Sequence, residues 1–203
     1  MTAWNGWYHC NGNTFGTWLR GEARGWRARH HREHCEGDYK RRPPPGYYAV
    51  LEGQSRRLMD RAEVRLSPEA RRVACVAMVE SLLQDGVDVI AVCVDDHQFP
   101  ALARFSRRAS EEAQAMKAWA SPLARDDPAR FFVGRAKGRA ARALSSAGLV
   151  PPGGVWAKRF RCLPVRDRSH QVAVARYIIA HGSGSRGACV WSVAAGTPPP
   201  RHA

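Results

Sequence analysis

No run in this 203-residue sequence approaches the roughly 18 consecutive apolar residues that a membrane-spanning helix needs. The opening residues, Met1-Thr2-Ala3-Trp4-Asn5, lack the basic-then-apolar layout of a secretory signal, so a cytoplasmic setting with no membrane partner is expected. None of the six Cys (Cys10, Cys35, Cys75, Cys93, Cys162, Cys189) stands in a Cys-x-x-Cys pair, which argues against a zinc ribbon or a disulfide framework. Reduced, partly buried thiols are expected instead. Negative charge is scarce: 18 Asp+Glu face 32 Lys+Arg, a formal charge of +14. Lysine is scarce too (Lys40, Lys117, Lys137, Lys158), so Arg supplies nearly all the cations. Its planar fork suits phosphate, and nucleic acid heads the partners that such a charge implies. With 44% hydrophobic and 25% charged residues, the chain has the mix of a folded domain rather than a disordered one.

The pattern predicts one domain over residues 1–192 and a disordered tail over 193–203. Trp7-Tyr8-His9-Cys10 reads as a short strand before a turn at Asn11-Gly12-Asn13. A basic, Pro-rich loop follows at about 20–66, with Arg41-Arg42-Pro43-Pro44-Pro45-Gly46 inside it. His30, His31, His34 and Cys35 in this loop could bind zinc, but no second pair follows at ligand spacing, and a basic loop is the simpler reading. Ser67-Pro68-Glu69 sets an N-cap, a first-turn Pro and an early carboxylate, predicting a helix over 68–84. Residues 87–94 and 99–105 read as a buried hairpin joined by Asp95-Asp96-His97-Gln98. After an insertion at about 106–127, a helix opens at Asp127-Pro128 and closes at Gly148. On it Arg135, Arg139 and Arg142 share a basic face, while Phe132, Ala136, Ala140 and Leu144 share another. A strand over 155–163 carries Lys158, Arg159 and Arg161; a last helix runs from a Ser169 cap to about His181, and a short strand at 188–191 closes the domain.

On the last helix, Val172, Ala175 and Ile179 form the expected core stripe, with His170, Tyr177 and His181 on the opposite side. All three could simply face solvent. A phenol can also attack a phosphodiester, and an imidazole one turn on can help hold a divalent cation that polarises the phosphate, with His97 on the hairpin as a further ligand.

The order of these pieces resembles the single-tyrosine HUH transposases, the insertion-sequence and REP-associated group. The matching landmarks are Thr14-Phe15-Gly16-Thr17-Trp18-Leu19, the Gly21 to Trp26 turn, Val64 to Pro68, the strand Val89 to Val94, Leu102-Ala103-Arg104-Phe105, Gly134-Arg135-Ala136-Lys137, Trp156-Ala157-Lys158 and Arg176-Tyr177-Ile178-Ile179. The resemblance implies an α+β fold, a ferredoxin-like antiparallel sheet with helices packed on one face. It implies DNA transposition: cleavage and rejoining of single-stranded or hairpin DNA through a 5′-phosphotyrosine at Tyr177. It implies a divalent metal, Mg or Mn, with His97 and His181 in its shell, and it admits a homodimer. DNA would lie on Arg135, Lys137, Arg139, Arg142, Lys158, Arg159 and Arg161.

The sequence departs from the family at its metal dyad. Where the family has His-hydrophobe-His, this chain reads Asp96-His97-Gln98-Phe99-Pro100. In one register Phe99 replaces the second His; in the other Gln98 and Pro100 hold both places. Neither supplies two imidazoles on one face of a strand. The expectation is a transposase-like protein with an altered nuclease centre, or a catalytically inactive nucleic-acid-binding derivative of such an enzyme.

Overall fold

The computed structural model describes residues 3–22, 25–26, 44, 46–105, 128–183 and 187–195. The stretches expected to be an insertion (106–127) and most of the disordered tail lie outside them, as do His30, His31, His34 and Cys35.

Among the described residues the chain builds a five-stranded antiparallel sheet with four α-helices, an α+β fold. The strands are β1 (Trp7–Thr14), β2 (Asp88–Val94), β3 (Gln98–Arg104), β4 (Trp156–Pro164) and β5 (Cys189–Ser192), in the spatial order β4-β1-β3-β2-β5. The helices are α1 (Ala49–Arg57), α2 (Pro68–Gln84), α3 (Pro128–Ser146) and α4 (Arg168–Ala180). Among the described residues, no helix is long and apolar enough to cross a membrane.

Two cores flank the sheet, because side chains alternate between its faces. On one face Cys10, Val92, Val94, Phe99, Ala101 and Ala103 pack with Met78, Val79 and Leu82 of α2 and Phe132, Ala136 and Leu144 of α3. On the other, Ala91, Cys93 and Leu102 pack with Val174 and Ile178 of α4. The helices therefore cover both faces rather than the one that was expected. The lone apolar stripe of α4 is short, and it closes only the β2–β3 half of its face.

Local signals explain most boundaries. The Ser67 hydroxyl accepts from Ala70 N–H (3.2 Å) and Pro68 takes the first helical position, so α2 starts where the sequence places it. Three expectations need correction. Residues 49–57, inside the expected loop, form α1. The cap of α4 is Asp167, not Ser169: its carboxylate accepts from His170 N–H (2.7 Å). The buried positions of α4 are Gln171, Val174 and Ile178, not Val172, Ala175 and Ile179. A glutamine in the core misdirects the apolar periodicity; Arg168 satisfies its amide oxygen and makes the burial tolerable.

Asn11-Gly12-Asn13 is not a turn either. β1 continues through it, paired with β3 at all three residues and with β4 at Asn11 and Gly12, after which the β4 register shifts. Glycine is required there by close approach: a Cβ on Gly12 would stand 2.7 Å from Phe99 Cε1 and 2.9 Å from Phe160 Cβ. Gly12→Val should therefore destabilise the fold by about 1–3 kcal/mol through overpacking. The check is the urea midpoint, which should fall without a change in slope; an unchanged midpoint would contradict the packing.

Candidate functional site

Alternation along β3 settles which of its residues share the face that α4 covers. Leu102 packs with α4 and Phe99 with α2 and α3, so Gln98 and Pro100 share Leu102's face and Phe99 does not. Across the sheet on this face, register sets Arg161 of β4 opposite Asn11 of β1, and Asn11 opposite Pro100. The next row holds Leu163, His9 and Leu102. Pro100 gives β2 no N–H, and the β2–β3 pairing ends at Val92↔Ala101, one position short of it.

Tyr177 lies above this surface. Because the buried side of α4 is centred on Gln171, Val174 and Ile178, His170, Tyr177 and His181 border the core rather than oppose it. Tyr177 is 50% exposed, leaving its phenol open to a ligand. Its ring meets that of His9 edge-on at 6.0 Å between centroids, and that of His181 at 4.8 Å. The Nε2 atoms of His9 and His181 are each buried and have no hydrogen-bond partner among the described residues. Burial, and secondarily the nearby His170, lowers the His9 pKa, which favours the neutral imidazole. Burial likewise raises the Tyr177 pKa, with added repulsion from Cys93 and Asp95, so the phenol stays protonated without a partner to take its proton.

His97 belongs to another group. It sits in the two-residue turn between β2 and β3, closed by Asp95 N–H to Gln98 C=O (2.8 Å). Its carbonyl accepts from Thr14 N–H (2.9 Å) and from the hydroxyls of Thr14 and Thr17 (3.3 Å each). Its Nδ1 lies 2.5 Å from Asp96 Oδ1, and Arg65 Nη1 donates to Asp96 Oδ2 at 2.9 Å. The ligating atoms of Asp95, Asp96 and His97 lie within 4.8 Å of one another, a set that could hold a metal ion; His181 is not part of it. The structure thus does not join His97 to His181 as one ligand set. The Arg65 guanidinium already pairs with Asp96, so a cation there would have to displace it.

The dyad implied by the resemblance does not fit this face. Gln98 and Pro100 occupy it, the second without any donor atom on its side chain, and Phe99 lies in the opposite core, where it packs against Trp156.

The basic residues divide between the two faces. Arg159 and Arg161 are exposed and alternate with Phe160 and Cys162, so they share the face of Tyr177, on the half that α4 leaves uncovered. Lys158 is also exposed, on the other parity. The helical group lies on α3, across the sheet from Tyr177. There Arg135 pairs with Asp85 (3.2 Å), Arg139 bonds to Gln84, and Arg142 is exposed. Lys137 is buried, not part of a surface stripe: it donates to Ala157 C=O (2.9 Å) and lies 4.4 Å from the Phe160 ring centroid. Burial lowers its pKa to about 8.

The chain matches no family model, no curated protein and no solved structure. Its function rests on its own geometry.

Asn11 was hidden by reading Asn11-Gly12-Asn13 as a turn; the alternating His9, Asn11 and Asn13 of a longer strand would have shown one polar face.

The Asp96 turn gives a pH test. Burial opposes the Asp96 carboxylate, but hydrogen bonds from His97 and Arg65 outweigh it and hold its pKa at about 2, below the ordinary 3.8. Between these values the unfolded chain binds the proton that the folded one refuses. The turn's contribution is therefore full above about pH 4 and is lost as pH falls toward 2. Urea midpoints from pH 5 to pH 2 should fall more steeply for the parent chain than for Asp96→Asn; parallel profiles would contradict the pairing.

Proposed function

We propose that this is a transposase-like DNA-binding protein that lays single-stranded or hairpin DNA across the open half of the sheet beside Tyr177. The observation that carries the reading is the shared face: a half-exposed Tyr177 between His9 and His181, next to Asn11, Arg159 and Arg161 on the uncovered strands. Guanidinium groups bind the backbone, amides and imidazoles bind phosphate or base edges, and the aromatic rings offer stacking surfaces. The strand order of the first four strands, β4-β1-β3-β2, and their β-α-β-β-α-β connection support a ferredoxin-like architecture with an added α4 on the second face.

In the cleaving form of this reading, Tyr177 Oη attacks a backbone phosphorus, the P–O3′ bond breaks, and the 3′ oxygen leaves with a proton while the 5′ phosphate stays on the tyrosine. The face sets an imidazole on each side of the phenol, His9 and His181, either of which could accept its proton as substrate draws them together. A second reading, favoured by Gln98 and Pro100 in place of a histidine dyad, is a binder that holds DNA without cutting it.

A 5′-labelled and a 3′-labelled single-stranded hairpin, incubated with the protein and Mg²⁺ or Mn²⁺, separate these. A denaturation-resistant adduct that Tyr177→Phe abolishes establishes cleavage; salt-sensitive binding with no adduct establishes the binder. For the interface, Arg159→Ala and Arg161→Ala should each weaken binding and flatten the log-affinity against log-salt slope by about 0.7. DNA binding that is absent, or indifferent to salt and to both substitutions, would overturn the proposal.

A further inference from the structure

Cys10 and Cys162 are separated by 152 positions in the chain, yet their Sγ atoms lie 3.0 Å apart. They are direct cross-strand partners on β1 and β4. Val165 N–H donates to Trp7 C=O (2.9 Å), so Trp7/Val165 is a hydrogen-bonded pair. Counting along the ladder, Tyr8/Pro164 is non-hydrogen-bonded, His9/Leu163 hydrogen-bonded and Cys10/Cys162 non-hydrogen-bonded. Pro164 fits this count, because its missing N–H falls on the open edge of the sheet. In non-hydrogen-bonded pairs the Cα atoms approach to about 4.5 Å, within the range of about 4.4–6.8 Å that a disulfide spans. The sulfurs are about 1 Å beyond the bonding distance of roughly 2.05 Å, a gap that small side-chain rotations close.

We propose that Cys10 and Cys162 are a reversible dithiol–disulfide pair that clamps edge strand β4 to β1. Cys162 is partly exposed and Cys10 is fully buried, so the order of events follows from access. With glutathione disulfide as the oxidant, the Cys162 thiolate attacks one of its sulfurs. A Cys162–glutathione mixed disulfide forms and one glutathione leaves. Cys10, as thiolate, then attacks Cys162 Sγ and expels the second glutathione. Two protein thiols and one glutathione disulfide become one protein disulfide and two glutathiones, with both protons carried to the glutathione thiolates. The clamp fixes the strand that bears Arg159 and Arg161, and its formation requires nothing of the DNA reading.

The competing thiol is Cys189, whose hydrogen bond with Cys75 draws its pKa down to about 7. The test must therefore locate the link. The full chain is incubated in glutathione/glutathione disulfide buffers, trapped with an alkylating reagent and mapped by non-reducing mass spectrometry. A linked pair of peptides containing Cys10 and Cys162, two hydrogens lighter than their sum and released by dithiothreitol, is expected. In Cys10→Ser the reaction should stop with glutathione on Cys162. Oxidised parent chain should also melt several degrees above its reduced form, a rise that Cys162→Ser removes. Recovery of Cys10 and Cys162 as alkylated thiols in buffers that have oxidised Cys189, or a link from Cys162 to another cysteine, would overturn the proposal.

Discussion

Side-chain alternation along β3 is the constraint on which the rest of this structure depends. The strand is central, paired with β1 on one side and β2 on the other, and both its faces are covered. Phe99, Ala101 and Ala103 must face α2 and α3, because Phe99 fills the space over Gly12 and beside Trp156. Gln98, Pro100 and Leu102 then have no choice but the α4 face. A one-residue slip would carry Phe99 under α4 and turn Gln98 and Arg104, at the two ends of the strand, toward the larger core. The chemistry available to Tyr177 is fixed by this packing.

The same constraint separates two groups of cations that look alike in the sequence. Three of those on α3 are committed to packing: Arg135 to Asp85, Arg139 to Gln84 and Lys137 to a carbonyl and an aromatic ring, while Arg142 stays exposed. Those on β4 stand on an edge strand with solvent on the open side, which also blunts the edge against pairing with another chain. Charge density alone does not distinguish the groups; the face does.

Much of the fold was legible because its signals are local. The Ser67-Pro68 cap, the apolar runs on either side of Asp96-His97 and the apolar face of α3 each depend on neighbours within a turn or a strand. What was misread depends on distant partners. Gly12 is a strand glycine only because Phe99 and Phe160 close over it from two other strands. Gln171 is a core residue only because Arg168 reaches it, and this rotated the expected face of α4. Tyr177 and His181 were found as neighbours on one helix, whereas His9 joins them through register, and the Cys10–Cys162 approach is set by register over 152 positions. Of the two readings of the altered dyad, the sequence left both open, and the burial of Phe99 on the far face selects Gln98 and Pro100.

That selection is open to a direct measurement. If Gln98 and Pro100 stand beneath Tyr177, the double substitution Gln98→His with Pro100→His sets two imidazoles on one face of β3 beside His181. Titration with Mn²⁺, followed by electron paramagnetic resonance, should then show one bound ion per chain with an affinity at least about tenfold above the parent's, a gain of about 1.4 kcal/mol. An unchanged Mn²⁺ affinity in a double variant with the parent's circular dichroism spectrum would contradict the register, and with it the account of what faces Tyr177.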